Sequence, residues 1–109
     1  MSEPAGGEPN ERLADDPRQQ RYELTIDEEV AAFAQYRAQP ELIAFVHTQV
    51  GEGWAGRGLG SRLIRFALDD ARERRLGVLP FCPFVNGFIQ RHRDYADLVP
   101  EADRPRFGL

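Results

Sequence analysis

The chain has 109 residues, a mass of 12.4 kDa and a formal net charge of −4. This length accommodates one domain, and the longest apolar run is too short to span a bilayer. The acidic N-terminus is unlike a secretion signal, so we expect a cytoplasmic protein without membrane contact. Cys82, the single cysteine, excludes an internal disulfide, and one cysteine with two histidines is a poor metal-ligand set, so we expect no metal.

The basic residues are all arginine: there are 14 of them, against 18 acidic residues, and the sequence contains no lysine. Such a chain lacks the positive field that duplex binding requires, so we expect no nucleic-acid partner. The absence of lysine also excludes a Walker A phosphate site and Schiff-base chemistry.

The predicted elements follow a disordered acidic tail over residues 1–19, where apolar residues are scarce. Residues 21–26, 30–36 and 42–50 have the pattern of strands and predict an antiparallel meander. An amphipathic helix is predicted over 59–75, a fourth strand over 78–81 and a second helix over 84–92. Residues 100–109 are predicted to be a loose tail. We therefore expect an α+β domain over residues 20–99, with three antiparallel strands followed by helix, strand and helix.

A loop with five glycines, residues 51–60, lies between the third strand and the first helix. A strand, glycine loop and helix N-terminus together present backbone N–H groups to which a phosphate can bind. Gly51, Gly53 and Gly56 match a G-x-G-x-x-G dinucleotide pattern, but the helix opens too late and too few strands follow. A P-loop would need lysine where Ser61 stands.

The segment Gly56-Arg-Gly-Leu-Gly-Ser61 resembles the pyrophosphate loop of the GNAT acetyltransferase superfamily, Q/R-x-x-G-x-G/A. His47-Thr-Gln-Val50, this loop, Pro80-Phe-Cys-Pro-Phe-Val85 and Arg91-His92 followed by Tyr95 are similar, in order and spacing, to small stand-alone GNAT-like domains. The resemblance implies a minimal acyl-CoA N-acyltransferase-like fold over most of the chain. It also implies acetyl-CoA-dependent N-acetyl transfer to an amine that the sequence does not identify, with a protein or another large acceptor among the candidates.

The resemblance also implies roles for individual residues. The third and fourth strands would run parallel and splay apart, with the pantetheine arm of CoA between them. The CoA-binding residues would be Thr48, Val50, Gly56, Arg57, Gly58, Leu59, Gly60 and Ser61. The thioester would lie near His47 and Cys82, the two catalytic candidates. Cys82, at a helix N-terminus that favours a thiolate, would accept the acetyl group or protonate the departing CoA thiolate.

Less specific interpretations of the same residues stay open. Cys82 is also compatible with an inert buried thiol. His47 would be a general base or an orienting partner of Cys82. It is also compatible with a core histidine, because strand alternation puts it on the same face as Phe45. Ala55 stands where the superfamily has Gln or Arg. Phe88 stands where this branch often has the tyrosine that protonates the departing CoA thiolate. These departures favour a second hypothesis, a non-catalytic acyl-CoA-binding sensor or adaptor. A small interaction protein with a purely structural glycine loop is a third.

The acceptor side is expected to be open, because the chain has no room for the N-terminal helices that build the acceptor pocket in full-size GNAT domains. An open side suits a large or flexible amine, or a partner that completes the site. A homodimer could supply such a partner, although no residue indicates one.

Overall fold

A computed structural model describes residues 10–109. Its elements follow in chain order: β1 (Glu11–Asp16), β2 (Arg21–Ile26), β3 (Glu29–Gln39), β4 (Leu42–Val50), α1 (Leu59–Glu73), β5 (Gly77–Pro80) and α2 (Pro83–Arg91). Two 3₁₀ helices, Arg93–Leu98 and Glu101–Phe107, complete the chain. No helix within residues 10–109 is long and apolar enough to cross a membrane.

The five strands form one sheet in the order β1-β2-β3-β4-β5. The first four strands pair antiparallel, while β4 and β5 pair parallel through the crossover that contains α1. The predicted α+β class, an antiparallel meander followed by helix, strand and helix, is therefore confirmed. The structure extends the meander by one strand at its outer edge.

Helix α1 covers one face of the sheet with a stripe of apolar side chains at helical spacing. The stripe is buried and consists of Leu59, Leu63, Ile64, Ala67, Leu68 and Ala71. Below it, the Tyr22 ring contacts the rings of Tyr36, Phe45 and Phe66 at centroid distances of 5.4 to 6.1 Å. This cluster fixes α1, and with it the glycine loop, relative to β4.

The acidic tail predicted over residues 1–19 is corrected in part, since residues 1–9 lie outside the described residues. Glu11–Asp16 forms β1 and pairs with β2. Leu13 is the one large apolar residue of this strand, so its apolar pattern is weak. Long-range ion pairs hold the strand to α1: Glu11 with Arg62 at 2.7 Å and Asp15 with Arg74 at 3.0 Å.

The loose end predicted over residues 100–109 is also corrected. Glu101–Phe107 is a 3₁₀ helix, and the Phe107 side chain is buried against the Phe81 ring at 5.2 Å. The Phe107 carbonyl oxygen accepts hydrogen bonds from the side-chain amides of Asn86 (3.1 Å) and Gln90 (3.0 Å), both on α2. A segment of mostly polar residues is thus ordered by a single aromatic anchor and by hydrogen bonds to α2.

Candidate active site

A gap opens between β4 and β5 at the residue where their pairing ends. The parallel register runs from Leu42 opposite Gly77 to Phe45 opposite Pro80, and β4 then continues to Val50. The chain after Pro80 turns away into α2, and the Cys82 N–H donates to the Phe45 carbonyl oxygen at 2.9 Å. The two strands therefore separate after Phe45, as the resemblance implied, with Cys82 at the closed end of the gap.

A β-bulge in β4 decides which side chains face the gap. Gln35 of β3 lies opposite His47, but the next residue, Tyr36, lies opposite Phe45, so Val46 has no partner in β3. An inserted residue turns the following side chains to the other face of the sheet. Strict alternation would place His47 on the same face of the sheet as Phe45. Because of the bulge, His47 lies on the opposite face, and Thr48 lies on the face of Phe45.

The structure brings Cys82 together with Thr48 and not with His47. Thr48 Oγ1 lies 3.3 Å from Cys82 Sγ, a hydrogen bond in which either atom can be the donor. The cysteine is 3% exposed and forms the N-cap of α2. The contact joins β4 to the start of α2, so it bridges the gap at its closed end. Sequence analysis assigned Thr48 to CoA binding, and no local pattern indicates the contact of its side chain with Cys82.

His47 lies on the face of the sheet opposite α1 and is exposed. Its ring contacts the Phe33 ring at a centroid distance of 6.0 Å, and its Nε2 lies 3.3 Å from Gln49 Oε1. The Arg21 guanidinium covers the same Phe33 ring at 4.7 Å. The interpretation of His47 as a core histidine is therefore wrong, and its environment is not that of an orienting partner for Cys82.

The glycine loop needs its glycines for backbone geometry. Gly53, Gly56 and Gly58 all have positive φ, between +72° and +85°, which other residues adopt only at a cost. Gly58 is the N-cap of α1 and gives no side-chain cap, and the first turn has no acidic residue. The amides of Leu59, Gly60 and Ser61 precede the first intrahelical bond, which runs from Arg62 N–H to the Gly58 oxygen at 3.2 Å. This arrangement suits an anion such as a pyrophosphate.

The loop residues differ in what their side chains can offer. The Leu59 side chain is buried in the core, so only its amide can serve a ligand. Ser61 and Arg57 are exposed, and the Arg57 guanidinium lies over the Trp54 ring at 4.9 Å. Ala55 has no polar side chain. The predicted reliance on backbone amides and on Arg57 is compatible with this geometry.

Phe84 connects the glycine loop to Cys82. A Cβ atom on Gly60 would lie 2.6 Å from Cζ of Phe84, so the Phe84 ring occupies the space that a larger residue would need. Phe84 is 40% exposed and follows Cys82 by two residues at the start of α2. The N-termini of α1 and α2 therefore meet on one side of the molecule, next to the β4–β5 gap.

The tyrosine hydroxyl groups are all engaged away from Cys82. Tyr22 donates to Asp70 and Tyr36 donates to Asp15, both at 2.6 Å, while Tyr95 donates to Asp69 at 2.7 Å. Burial, followed by the hydrogen bond to a carboxylate, raises the pKa of all three. They are therefore poor proton donors for a departing thiolate.

Phe88 lies within the protein core. It is fully buried, stacks on His92 at 4.1 Å and contacts Tyr95 at 5.8 Å. Its position inside the packing agrees with a structural role. Cys82 is therefore the candidate side chain that lies at the gap, and Phe88 is not accessible to a ligand there.

Comparison with known proteins agrees with this architecture. The family described as GCN5-related N-acetyl-transferase matches residues 21–98. The solution NMR structure of a GCN5-like protein from Staphylococcus aureus is similar in fold, with a TM-score of 0.66 and 24% sequence identity over 84% of this chain and 89% of that one. No protein with a curated description matches. The family match covers most of the chain, and the chain therefore belongs to the GCN5-related N-acetyltransferases.

Proposed function

We propose that this protein transfers the acetyl group of acetyl-CoA to an amine, and that Cys82 takes part in the reaction. The observation that carries the proposal is the position of Cys82 at the closed end of the β4–β5 gap, with Thr48 Oγ1 3.3 Å from its Sγ. Membership of the acetyltransferase family supports the reaction class. The N-terminus of α1, on the same side, supports a pyrophosphate-bearing donor.

The proposed donor site follows the elements already described. The pyrophosphate binds to the amides of residues 56–61, assisted by Arg57, and the pantetheine arm lies along Thr48 to Val50. Thr48 and Val50 pair with Ala34 and Ala32 of β3, so both side chains lie on the face that α1 covers. The thioester then reaches the closed end of the gap, where Cys82 lies.

Two routes for Cys82 are chemically balanced. As a nucleophile, its thiolate attacks the thioester carbonyl carbon, the bond from that carbon to the CoA sulfur breaks, and CoA leaves as a thiolate. The amine then attacks the acetyl-cysteine and releases the Cys82 thiolate. As an acid, Cys82 gives its proton to the CoA sulfur while the amine attacks acetyl-CoA directly. In both routes the Thr48 hydroxyl can donate a hydrogen bond to the thiolate of Cys82.

His47 fits the acceptor side of the proposal. It is exposed on the face opposite α1, next to the bulge at which β4 leaves β5. An amine that approaches from this face would meet the imidazole before it reaches the thioester. We therefore assign His47 to deprotonation of the amine, a step separate from the chemistry of Cys82.

Thermal unfolding with acetyl-CoA, CoA, dephospho-CoA and NAD tests the donor site. A ligand at 100 times its Kd stabilises by about 2.7 kcal/mol, and each kcal/mol moves the Tm of a domain of this size by about 4–8 °C. We expect increases of about 10–20 °C with acetyl-CoA and CoA at that ratio and none with NAD. The absence of any increase with CoA ligands would contradict the proposal.

A non-catalytic acyl-CoA sensor is the second candidate, and Phe88 and Ala55 favour it. Phe88 stands where the resemblance expects an acid, and Ala55 gives no side-chain contact to phosphate. A sensor would show the same increases in Tm. It would release no CoA from acetyl-CoA in the presence of primary amines, polyamines and peptides with free N-termini.

A further inference from the structure

Strand β1 lies outside the residues that the family match covers, yet it reaches the glycine loop through one ion pair. We infer that Glu11 and Arg62 form a brace, a positioning pair that holds the glycine loop in its anion-binding shape before a ligand arrives. The effect on CoA binding rests on the proposed function, whereas the effect on the loop itself does not.

Arg62 contacts both the strand and the loop. Its Nη2 and Nε donate to the two carboxylate oxygens of Glu11, at 2.7 and 3.2 Å. Its Nη1 donates to the carbonyl oxygen of Arg57 at 3.2 Å, and its backbone N–H donates to the carbonyl oxygen of Gly58 at the same distance. One residue thus holds two successive carbonyl groups of the loop while Glu11 fixes its guanidinium.

The brace is shielded from water on the Glu11 side. The Glu11 side chain is 1% exposed and that of Arg62 23% exposed. A two-pronged arginine–carboxylate contact is stronger and more directional than a single one, and burial reduces screening by salt. Glu11 therefore orients the guanidinium, so that Nη1 stays on the Arg57 carbonyl group.

The part of the loop that adjoins α1 is rich in residues with a large backbone entropy to lose. Three of its glycines have positive φ, and the N-cap position of α1 has no side-chain hydrogen bond. Glycine loses more backbone freedom on ordering than any other residue. A contact that orders such a loop in advance reduces the entropy lost when a ligand binds and so increases affinity.

The same strand offers a matched control at the far end of α1. Asp15 pairs with Arg74 at 3.0 Å, and this pair also joins β1 to α1. Asp15 accepts a hydrogen bond from Tyr36 as well, and asparagine keeps an oxygen for it. Glu11→Gln and Asp15→Asn each remove one carboxylate charge from β1, but only the first affects the contact to the glycine loop.

Amide hydrogen exchange without ligand tests the brace itself. We expect the amide of Arg62, whose N–H donates to the Gly58 carbonyl oxygen, to exchange about three- to tenfold faster in Glu11→Gln than in the unmodified chain, relative to the amides of β3 and β4. Asp15→Asn should leave this ratio unchanged. Equal exchange of the Arg62 amide in Glu11→Gln and the unmodified chain would overturn the inference, as would equal acceleration in the two variants.

Calorimetric titration with CoA and with pantetheine tests the consequence for the ligand. We expect Glu11→Gln to weaken CoA binding about three- to tenfold, because the loop of the variant must become ordered when CoA binds. Pantetheine has no pyrophosphate, so its affinity should stay the same in both variants. Tighter CoA binding in Glu11→Gln would mean that Glu11 withholds Arg62 from the phosphates, and it would overturn the inference. Failure of the unmodified chain to bind CoA would contradict the proposed function, while the exchange measurement still decides on the brace.

Discussion

At the scale of single residues, the contact between Thr48 and Cys82 gives the proposed site its most specific test. Thr48→Val keeps the shape of the side chain and removes the hydroxyl that lies 3.3 Å from Sγ. One hydrogen bond contributes about 1 kcal/mol, so we expect kcat for CoA release from acetyl-CoA to fall about fivefold. The KM for acetyl-CoA should not change, because the substitution leaves both the glycine loop and the β4 backbone beside the pantetheine arm unaltered.

Thr48→Ser is the matched control for this prediction, because it keeps the hydroxyl and should keep kcat near that of the unmodified chain. A Thr48→Val protein with unchanged kcat would show that the contact has no part in the reaction.

Intact mass after incubation with acetyl-CoA alone separates the two routes for Cys82. An acetyl adduct on Cys82 supports the nucleophile, and acetyl transfer to an amine without an adduct supports the acid.

His47 and Cys82 lie on opposite faces of β4, so we expect them to act in different steps. His47→Ala should lower transfer to an amine by about 100-fold, the usual size of a general-base contribution. The rate at which iodoacetamide alkylates Cys82 should stay the same in this variant, because the imidazole contacts Phe33 and Gln49 instead of the thiol. Slower alkylation in His47→Ala would indicate an orienting role and contradict the separation of steps.

At the scale of elements, hydrophobic period and the position of glycine were sufficient to predict most of the fold. The bounds of β2 and β4 agree with the predicted strands, and α1 begins at the predicted Leu59. Strand β1 and the last 3₁₀ helix were missed because each has few apolar residues. They are held by contacts distant in sequence, such as Glu11 with Arg62 and Gln90 with the Phe107 carbonyl group.

The C-terminal 3₁₀ helix is expected to contribute to stability through Phe107. Its ring is 9% exposed and packs on Phe81, so Phe107→Ala removes buried apolar surface and leaves a cavity. We expect the free energy of unfolding in urea to fall by about 2–4 kcal/mol. Glu101→Ala, a control on an exposed side chain at the start of the same 3₁₀ helix, should change it by less than about 1 kcal/mol. An unchanged midpoint in Phe107→Ala would restore the predicted loose tail.

At the scale of the whole molecule, the sequence indicated the family and a candidate site, but not which of the candidate side chains meet in the folded chain. The glycine loop and the order of the motifs could be predicted from the sequence because they are local patterns. The bulge at Val46 could not be predicted from the sequence, and it alone changes the face of the sheet on which His47 and Thr48 lie. A register shift of one residue arises from pairing with β3, which is a property of the folded sheet.

The absence of lysine makes the alkaline limit of stability unusually simple to interpret. Lysine ordinarily titrates near the same pH as tyrosine, but this chain has three tyrosines and no lysine. Burial and a carboxylate partner raise the pKa of all three above the ordinary value of 10.0. The folded chain therefore keeps its tyrosine protons at a pH at which the unfolded chain releases them.

We expect the free energy of unfolding to be independent of tyrosine ionisation below about pH 9 and to fall above about pH 10. The slope approaches about 1.4 kcal/mol per pH unit for each tyrosine. Urea unfolding across this range, with tyrosinate absorbance recorded in parallel, measures both quantities. Tyr22→Phe removes one of the three groups and should make the slope less steep, by up to about 1.4 kcal/mol per pH unit, because phenylalanine cannot release a proton in the unfolded chain. If tyrosinate formed well before unfolding, the hydroxyl groups would not be held by Asp70, Asp15 and Asp69 as the structure describes.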